Sequence, residues 1–234
     1  MRARAWVVIP TYNEAANVER IVREADSELE RIMPGEHRIL VVDDNSPDGT
    51  GAIADALAAG AELLIEMDAD FSHDPRYLPD LVGASSEADL VLGSRYVPGG
   101  GVRDWGLVRR MISRGGGVYA RAILRVDVHD LTGGFKCIRR EVLKAIDLDS
   151  VRADGYVFQI EVTYRASKAG FTVKEIPIVF QDRTVGSSKM SPRIALEAMW
   201  LVPRLRRSAA TALARSTADR DHVETPPAPE RPRA

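Results

Sequence analysis

The sequence predicts an α/β protein of one domain, with a mostly parallel sheet flanked by helices. Three observations predict it. Short apolar runs at 5–9 (AWVVI), 38–42 (RILVV), 63–65 (LLI) and 89–93 (DLVLG) have the length and composition of buried strands. A helical pattern at 15–31 separates the first two runs, which is the spacing of a right-handed parallel unit rather than a hairpin. Acids follow two of these strands, as Asp43-Asp44 and as Asp68-Ala69-Asp70, so carboxylates gather at the carboxyl edge of the sheet, where open α/β sheets bind ligands.

The elements follow in order. Pro10 stops the first strand, Asn13 is a candidate cap, and Val18, Ile21, Val22, Ala25 and Leu29 form the apolar stripe of the helix. Ser46 to Thr50 is turn chemistry, and 50–59 is a short alanine-rich helix ending at Gly60. A helix begins near Pro75 and closes at 79–84. The segment 97–105, with Pro98 and three successive glycines, has the composition of a mobile lid or a disordered connection. Helical spacing resumes at 107–124, where Gly115-Gly116-Gly117 should weaken or kink it. A strand at 137–138 precedes helices at 140–146 and 159–169, and Pro177 argues that the strand at 172–180 lies at a sheet edge. Residues 191–215 form a basic amphipathic helix, which either lies in a bilayer interface or docks on the domain. The polar, proline-rich stretch 216–234 reads as a disordered tail.

Bulk properties bound the function. A chain of 234 residues with 45% hydrophobic and 28% charged residues can bury one good core. Its 32 basic and 34 acidic residues give a net charge of −2, which supplies no general attraction for nucleic acid. The single cysteine, Cys137, excludes an internal disulfide or a cysteine-cluster metal site. No apolar run reaches the roughly 18 residues of a membrane span, and the N-terminus lacks a signal-peptide core.

The stretch 63–75, LLIEMDADFSHDP, carries the chemistry. Asp68 and Asp70 can aim two carboxylates at one point beyond the strand, a donor set suited to Mg²⁺ or Mn²⁺, whose other positions go to water and ligand phosphates. An isolated pair of this kind also reads as a solvated turn. Four acids at one rim, Asp43, Asp44, Asp68 and Asp70, argue against that, because they repel one another unless a cation or hydrogen-bonding ligand sits among them. His73 and Asp74 could add a ligand. Arg95 ends a strand at the same rim, and Arg109, Arg110 and Arg114 surround Ser113. These arginines read either as a solvated face or as cations for an anionic co-substrate. The small, basic loop at 181–189 could approach phosphate oxygens.

Taken in order, the motifs VVIPTYNE, VVDDNSPDGT, EMDADFSHDP, LGSRY, RRMISR, DLTGGFK, DGYVFQIE and FQDRTVGSSK resemble the inverting family-2 glycosyltransferases over about residues 6–189. Within them they are most similar to the polyprenyl-phosphate (dolichyl-phosphate) mannosyltransferases. The resemblance implies a nucleotide-sugar-binding (GT-A-like) sheet and transfer of mannose from GDP-mannose to a polyprenyl phosphate. It implies that Pro10, Tyr12, Glu14 and Asp43 line the nucleotide pocket and that Asp68 and Asp70 hold the metal against the diphosphate. By the same resemblance, Arg95, Arg109 and Ser113 receive the acceptor phosphate, and Arg183 and Lys189 close over the donor. Asp68, Asp70, Arg95 and Arg183 would then be the catalytic group. An ionised lipid phosphate is already a nucleophile, so the reaction needs positioning and leaving-group stabilisation rather than a strong general base, and His73 becomes a metal-shell or structural residue. The implied setting is the cytoplasmic face of a membrane, held peripherally, with a separate membrane-anchoring protein as a further partner.

The chain departs from this pattern at one place. Residue 59 runs through Gly60-Ala61 directly into Glu62, so one strand and one helix are missing near 59–62. The catalytic domain then spans 1–190, followed by the helix at 191–215 and the tail at 216–234. The second strand should pair beside the first as an unprotected edge, and donor binding should weaken or activity be lost. Two other readings compete with the mannosyltransferase: a catalytically impaired, partner-binding remnant of the same fold, and a transferase using another donor such as UDP-glucose.

Overall fold

The computed structural model describes residues 4–11, 17–43, 60–146, 151, 155–181 and 199–207. The expected turn and helix at 46–59, the loop at 183–189, positions 191–198 and 208–215 of the last helix and the tail at 216–234 lie outside the described residues, as does Asn13.

Eight strands are described: β1 (Ala5–Thr11), β2 (His37–Asp43), β3 (Leu63–Glu66), β4 (Leu90–Ser94), β5 (Gly101–Val102), β6 (Lys136–Arg139), β7 (Val173–Pro177) and β8 (Val179–Phe180). Six form the main sheet in the order β2-β1-β3-β6-β4-β7. β1 is parallel to both β2 and β3, β4 is parallel to β7, and only β6 runs antiparallel to its two neighbours. The carboxyl ends of the other five strands therefore share one edge, and Lys136, at the start of β6, lies there too. Pro177 closes β7 at the sheet margin, where its missing N–H costs no ladder bond.

Alternation along the strands divides the core into two layers. Ala5, Val7, Ile9, Leu63, Ile65, Val91 and Cys137 pack on one face with Ile21, Ala25 and Leu29 of α1 (Val18–Ile32) and with Leu78 and Leu81 of α2 (Leu78–Ala84). Val8, Leu64, Leu90, Leu92 and Ile138 pack on the other face. That layer is covered by α3 (Leu107–Leu124), α4 (Arg140–Ala145), α5 (Gly155–Lys168) and a further helix, α6, over 199–207. A 3₁₀ turn, Pro75–Tyr77, leads into α2.

Two expectations change, and for the last helix one of the two alternatives is seen. The glycine-rich segment 97–105 is neither lid nor disordered connection: its β5 pairs with β8, and a Cβ at Gly100 would stand 2.5 Å from the Ser94 carbonyl oxygen. Glycine there permits close backbone approach rather than freedom. α3 runs unbroken through Gly115-Gly116-Gly117, with Gly117 buried against the domain. α6 docks through Val202 and Leu205, which join the core, although Met199 and Trp200 stay outside it.

Candidate active site

The DAD turn grows directly out of β3. Met67 donates its N–H to Val8 O at 3.1 Å, so the pairing with β1 continues just past Glu66 before the chain turns. Asp68 is half-exposed at the rim, with 42% of its side chain accessible, and Asp70 is buried at 4%. The turn is held from inside. Asp68 donates its backbone N–H to His73 Nδ1 at 3.0 Å, and Ser72 donates its backbone N–H to Asp70 Oδ1 at 2.9 Å. Phe71 takes a left-handed φ of 61°, rare for an aromatic residue, and its ring receives the Arg20 guanidinium at 4.4 Å.

His73 and Asp74 are both engaged within the protein. The His73 ring is buried, stacked on Phe135 at 4.9 Å and edge-on to Phe180 at 5.7 Å, and its Nδ1 lone pair is occupied by the Asp68 amide. Asp74 caps the 3₁₀ turn through Arg76 N–H at 3.0 Å. Among the described residues no group of three or more metal-ligating side chains forms. Two hard oxygens at a strand end fit a cation that completes its shell with water and phosphate.

Behind the turn lies a buried polar network. Lys136 Nζ donates to Gln159 O at 2.8 Å and to Gln159 Oε1, and Gln159 Nε2 donates to Glu66 Oε1. Burial pushes the Glu66 carboxyl up to about 7; the Lys136 charge opposes this rise and Asp68 adds to it. Burial likewise lowers Lys136 to about 8, against the pull of Glu66 and Asp130.

The residues expected to receive the acceptor phosphate, Arg95, Arg109 and Ser113, converge. Arg95 is a buried partner of Asp130 rather than an open phosphate cation. Its Nε donates to Asp130 Oδ2 at 2.7 Å, its Nη2 to Asp130 Oδ1 at 2.6 Å and to Thr132 Oγ1 at 2.8 Å, and its backbone N–H to Oδ2 at 3.0 Å. Burial raises the Asp130 carboxyl, but the charge and hydrogen bonds of Arg95, joined by Thr132, outweigh it and hold the group below the usual aspartate range. Glu175 fixes this corner by accepting the backbone N–H of Asp130 at 2.9 Å and of His129 at 2.8 Å. The Arg95 guanidinium lies over the rings of Tyr96, Phe180 and Trp105 at 5.3, 5.3 and 5.5 Å, and Arg109 lies over Trp105 at 4.0 Å. Ser113, buried on α3, shares a 2.6 Å hydrogen bond with Tyr96 OH. Arg95, Arg109 and Ser113 thus meet around Trp105 and Tyr96, which sequence reasoning left without roles. The indole N–H of buried Trp105 has no hydrogen-bond partner among the described residues.

Among the residues expected at the donor, β1 carries Pro10 opposite Val42, and Thr11 stands opposite Asp43, so these backbones stand at the rim beside the DAD turn. Tyr12, Glu14, Arg183 and Lys189 lie outside the described residues, as does the Asp43 side chain. Asp130, Thr132, Glu66, Lys136 and Gln159 were missed from sequence. The available signal for Lys136 was a lysine set between the apolar residues Phe135 and Cys137.

Comparison with known proteins accords with this geometry. The model of glycosyl transferase family 2 matches residues 6–63 and 56–147, two stretches that overlap at 56–63. The chain is 44% identical over 231 residues to the polyprenol monophosphomannose synthase of Mycolicibacterium smegmatis, covering 85% of each. It is 39% identical over 231 residues to the undecaprenyl-phosphate mannosyltransferase of Micrococcus luteus, covering 86% of this chain and 93% of that one. Among solved structures, glucosyl-3-phosphoglycerate synthase of Mycobacterium tuberculosis, bound to phosphoglyceric acid, superposes with a TM-score of 0.54 at 20% identity. That match covers 88% of this chain and 80% of the other. With its acidic turn at the carboxyl edge of a mostly parallel sheet and a family match spanning more than half its length, the chain belongs to glycosyl transferase family 2 and is a glycosyltransferase.

Proposed function

We propose that the protein transfers mannose from GDP-mannose to a polyprenyl phosphate, with inversion and with a divalent metal, at a membrane surface. The observation that carries this reading is the pairing of two unlike subsites at one sheet edge: the Asp68/Asp70 turn for the donor diphosphate and the arginine-aromatic cluster for a second anion. The names of the two bacterial relatives, a polyprenol monophosphomannose synthase and an undecaprenyl-phosphate mannosyltransferase, support mannose and a lipid phosphate. GDP as the carrier follows from the motif resemblance.

In this reading one acceptor phosphate oxygen attacks the anomeric carbon while the bond from that carbon to the diphosphate oxygen breaks, and GDP departs with the electron pair. Asp68 and Asp70 would hold Mg²⁺ or Mn²⁺, which supplies neutralisation of the leaving diphosphate. Arg109 and the Trp105 indole N–H meet the acceptor phosphate, with the Ser113 hydroxyl at the same pocket. Arg95, clamped by Asp130, positions that pocket and adds positive field. Pro10, Tyr12, Glu14 and Asp43 line the nucleotide site, and Arg183 and Lys189 close over the donor. Setting the attacking oxygen in line with the leaving group removes much of the entropic barrier, so no histidine base is required.

Among the described residues no helix is long and apolar enough to cross a membrane. In the proposed setting the protein meets its lipid acceptor peripherally on the cytoplasmic face, with or without a separate anchoring protein. The test is transfer of radiolabelled mannose from GDP-mannose into organic-extractable lipid, with and without chelator. Label in the lipid, abolished by chelator and by Asp70→Ala, is the expected result. Transfer from UDP-glucose in its place, or transfer indifferent to Asp70→Ala, would overturn the proposal.

A further inference from the structure

We infer that Glu66 and Gln159 form the subsite for the sugar being transferred, hydrogen-bonding its hydroxyls, with Lys136 as the positioning residue behind them. The inference rests on the two anion subsites proposed above and on the strand order between them. The DAD turn follows β3, Arg95 and its aromatic cluster follow β4, and β6 lies between those two strands. Neighbouring strands stand about 4.8 Å apart, so the two phosphate subsites are separated by roughly 10 Å, a gap that one hexose ring and its bridging oxygens can fill. A sugar bonded to the donor diphosphate and attacked by the acceptor phosphate therefore lies over the end of β6. Lys136 stands there, opposite Glu66 of β3 on one side and Leu92 of β4 on the other.

The groups at this place are fixed from below and unfinished above. Fully buried Lys136 donates from Nζ to Gln159 O at 2.8 Å and to Gln159 Oε1, and Gln159 Nε2 donates in turn to Glu66 Oε1. Glu66 is half-buried, and its Oε2 has no hydrogen-bond partner among the described residues. The Gln159 amide has a second N–H to give. Gly134 keeps side chains off this spot: a Cβ there would already touch His73 Cε1 at 3.5 Å and Gln159 Nε2 at 3.6 Å. Charge selects the ligand. The second-anion pocket is lined by arginines, whereas here the Lys136 ammonium is matched by the Glu66 carboxyl, and the free atom is a carboxyl oxygen. That oxygen repels a further phosphate and accepts from a hydroxyl. Beside an amide N–H it offers an acceptor and a donor together, which suits the neighbouring hydroxyls of a hexose.

The test is calorimetric titration of the full chain, in the presence of Mn²⁺, with GDP-mannose and with GDP alone. Two variants are compared with the wild type. Glu66→Gln keeps an acceptor for the Gln159 amide and replaces the free acceptor by a donor; Glu66→Asp keeps the charge that Lys136 faces and withdraws the carboxyl by one methylene. The expected result is that GDP-mannose affinity falls about tenfold or more in each variant, the range of one hydrogen bond to a charged group, while GDP affinity and the melting temperature hold. If Glu66→Gln lowers the melting temperature, Glu66→Asp decides. An unchanged ratio of the two affinities would overturn the inference. So would an equal loss for GDP and GDP-mannose, which would assign the network to folding. UDP-glucose and UDP are titrated alongside: a wild type that selects UDP-glucose, with the same sugar-dependent loss in the variants, would overturn the proposed donor and leave the sugar subsite standing. A wild type that binds no nucleotide sugar would overturn both.

Discussion

The backbone N–H of Asp68 is donated to Nδ1 of His73, 3.0 Å away and five residues on, and this bond fixes the rim carboxylate to a buried ring. The ring is itself fixed by Phe135 and Phe180, so the direction of Asp68 is set by core packing rather than by a loop. His73→Phe keeps an aromatic body and removes the acceptor. The part-buried amide then loses its partner, at a cost of about 1 kcal/mol. The expected outcome is a lower melting temperature together with a higher Mn²⁺ concentration for half-maximal activity. A fall in stability with an unchanged metal titration would show that the ring serves packing alone.

The Arg95–Asp130 pair predicts a large stability effect with a defined pH signature. Asp130→Asn leaves the Arg95 guanidinium buried without its counter-charge, a change worth about 3–5 kcal/mol. Because the folded carboxyl lies below its ordinary value, its contribution is fully present above about pH 4 and is lost as pH falls through the lower, folded value. Urea titrations from pH 7 down to pH 3 should show the wild type losing this increment at the acid end. The variant should start lower and lose less.

Glu66 and Lys136 make the opposite kind of pair. Glu66, raised to about 7, contributes stability below its ordinary range and loses it as pH rises through 7. Lys136, lowered to about 8, contributes stability above its ordinary range and loses it as pH falls through 8. The contribution of the pair is therefore smallest between pH 7 and 8. In Lys136→Met, Glu66 loses the cation that favours its charged form and stays protonated to higher pH. Denaturant midpoints taken from pH 6 to pH 9 should then keep falling beyond pH 7, with no recovery above 8. A recovery would place the titration elsewhere.

The sheet was legible because alternation and length suffice for strands such as β1 and β4, and the DAD turn drew notice because its acids join Asp43 and Asp44 at one rim. What the sequence hid depends on topology. Lys136 is buried because β6 sits between β3 and β4 with both faces covered, a fact no local pattern contains. Asp130 lies in a stretch, DLTGGFK, that reads locally as a turn, and its partner is 35 residues away. The segment 97–105 misled because the glycines that signal freedom in a solvated loop serve close packing here, as at Gly100. The start of α1 also moved, to Val18 with Asn17 at its N-cap, where Ile21 N–H reaches Asn17 O at 3.0 Å.

Trp105 offers a test of the second-anion pocket. Its indole N–H is buried beside Arg109 and lacks a partner among the described residues, an arrangement that an incoming phosphate oxygen would complete. Trp105→Phe retains the ring under Arg109 and deletes the donor. A hydrogen bond to a charged group is worth about 1.5–3 kcal/mol. KM for the polyprenyl phosphate should rise about tenfold or more with KM for GDP-mannose unchanged. An equal effect on both substrates would assign the residue to folding instead.

The strand and helix expected to be missing near 59–62 bear on the proposed donor site. With β3 paired directly to β1, β2 becomes the outer strand of the described sheet, and Val41 is left 39% exposed on it. A further strand beyond β2 would have covered this edge and set another loop at the carboxyl rim, next to Thr11 and Asp43, where the nucleoside is proposed to lie. The diphosphate site proposed at Asp68 and Asp70 lies on the other flank of β1, after β3. Binding of the nucleotide should therefore weaken while its metal requirement persists. Calorimetric titration with GDP-mannose and Mn²⁺ is expected to give an affinity at least tenfold below that of the Mycolicibacterium smegmatis relative, with the shortfall largely retained when GDP alone is titrated. Equal affinities for the two proteins would mean that residues elsewhere in the chain replace the lost contacts.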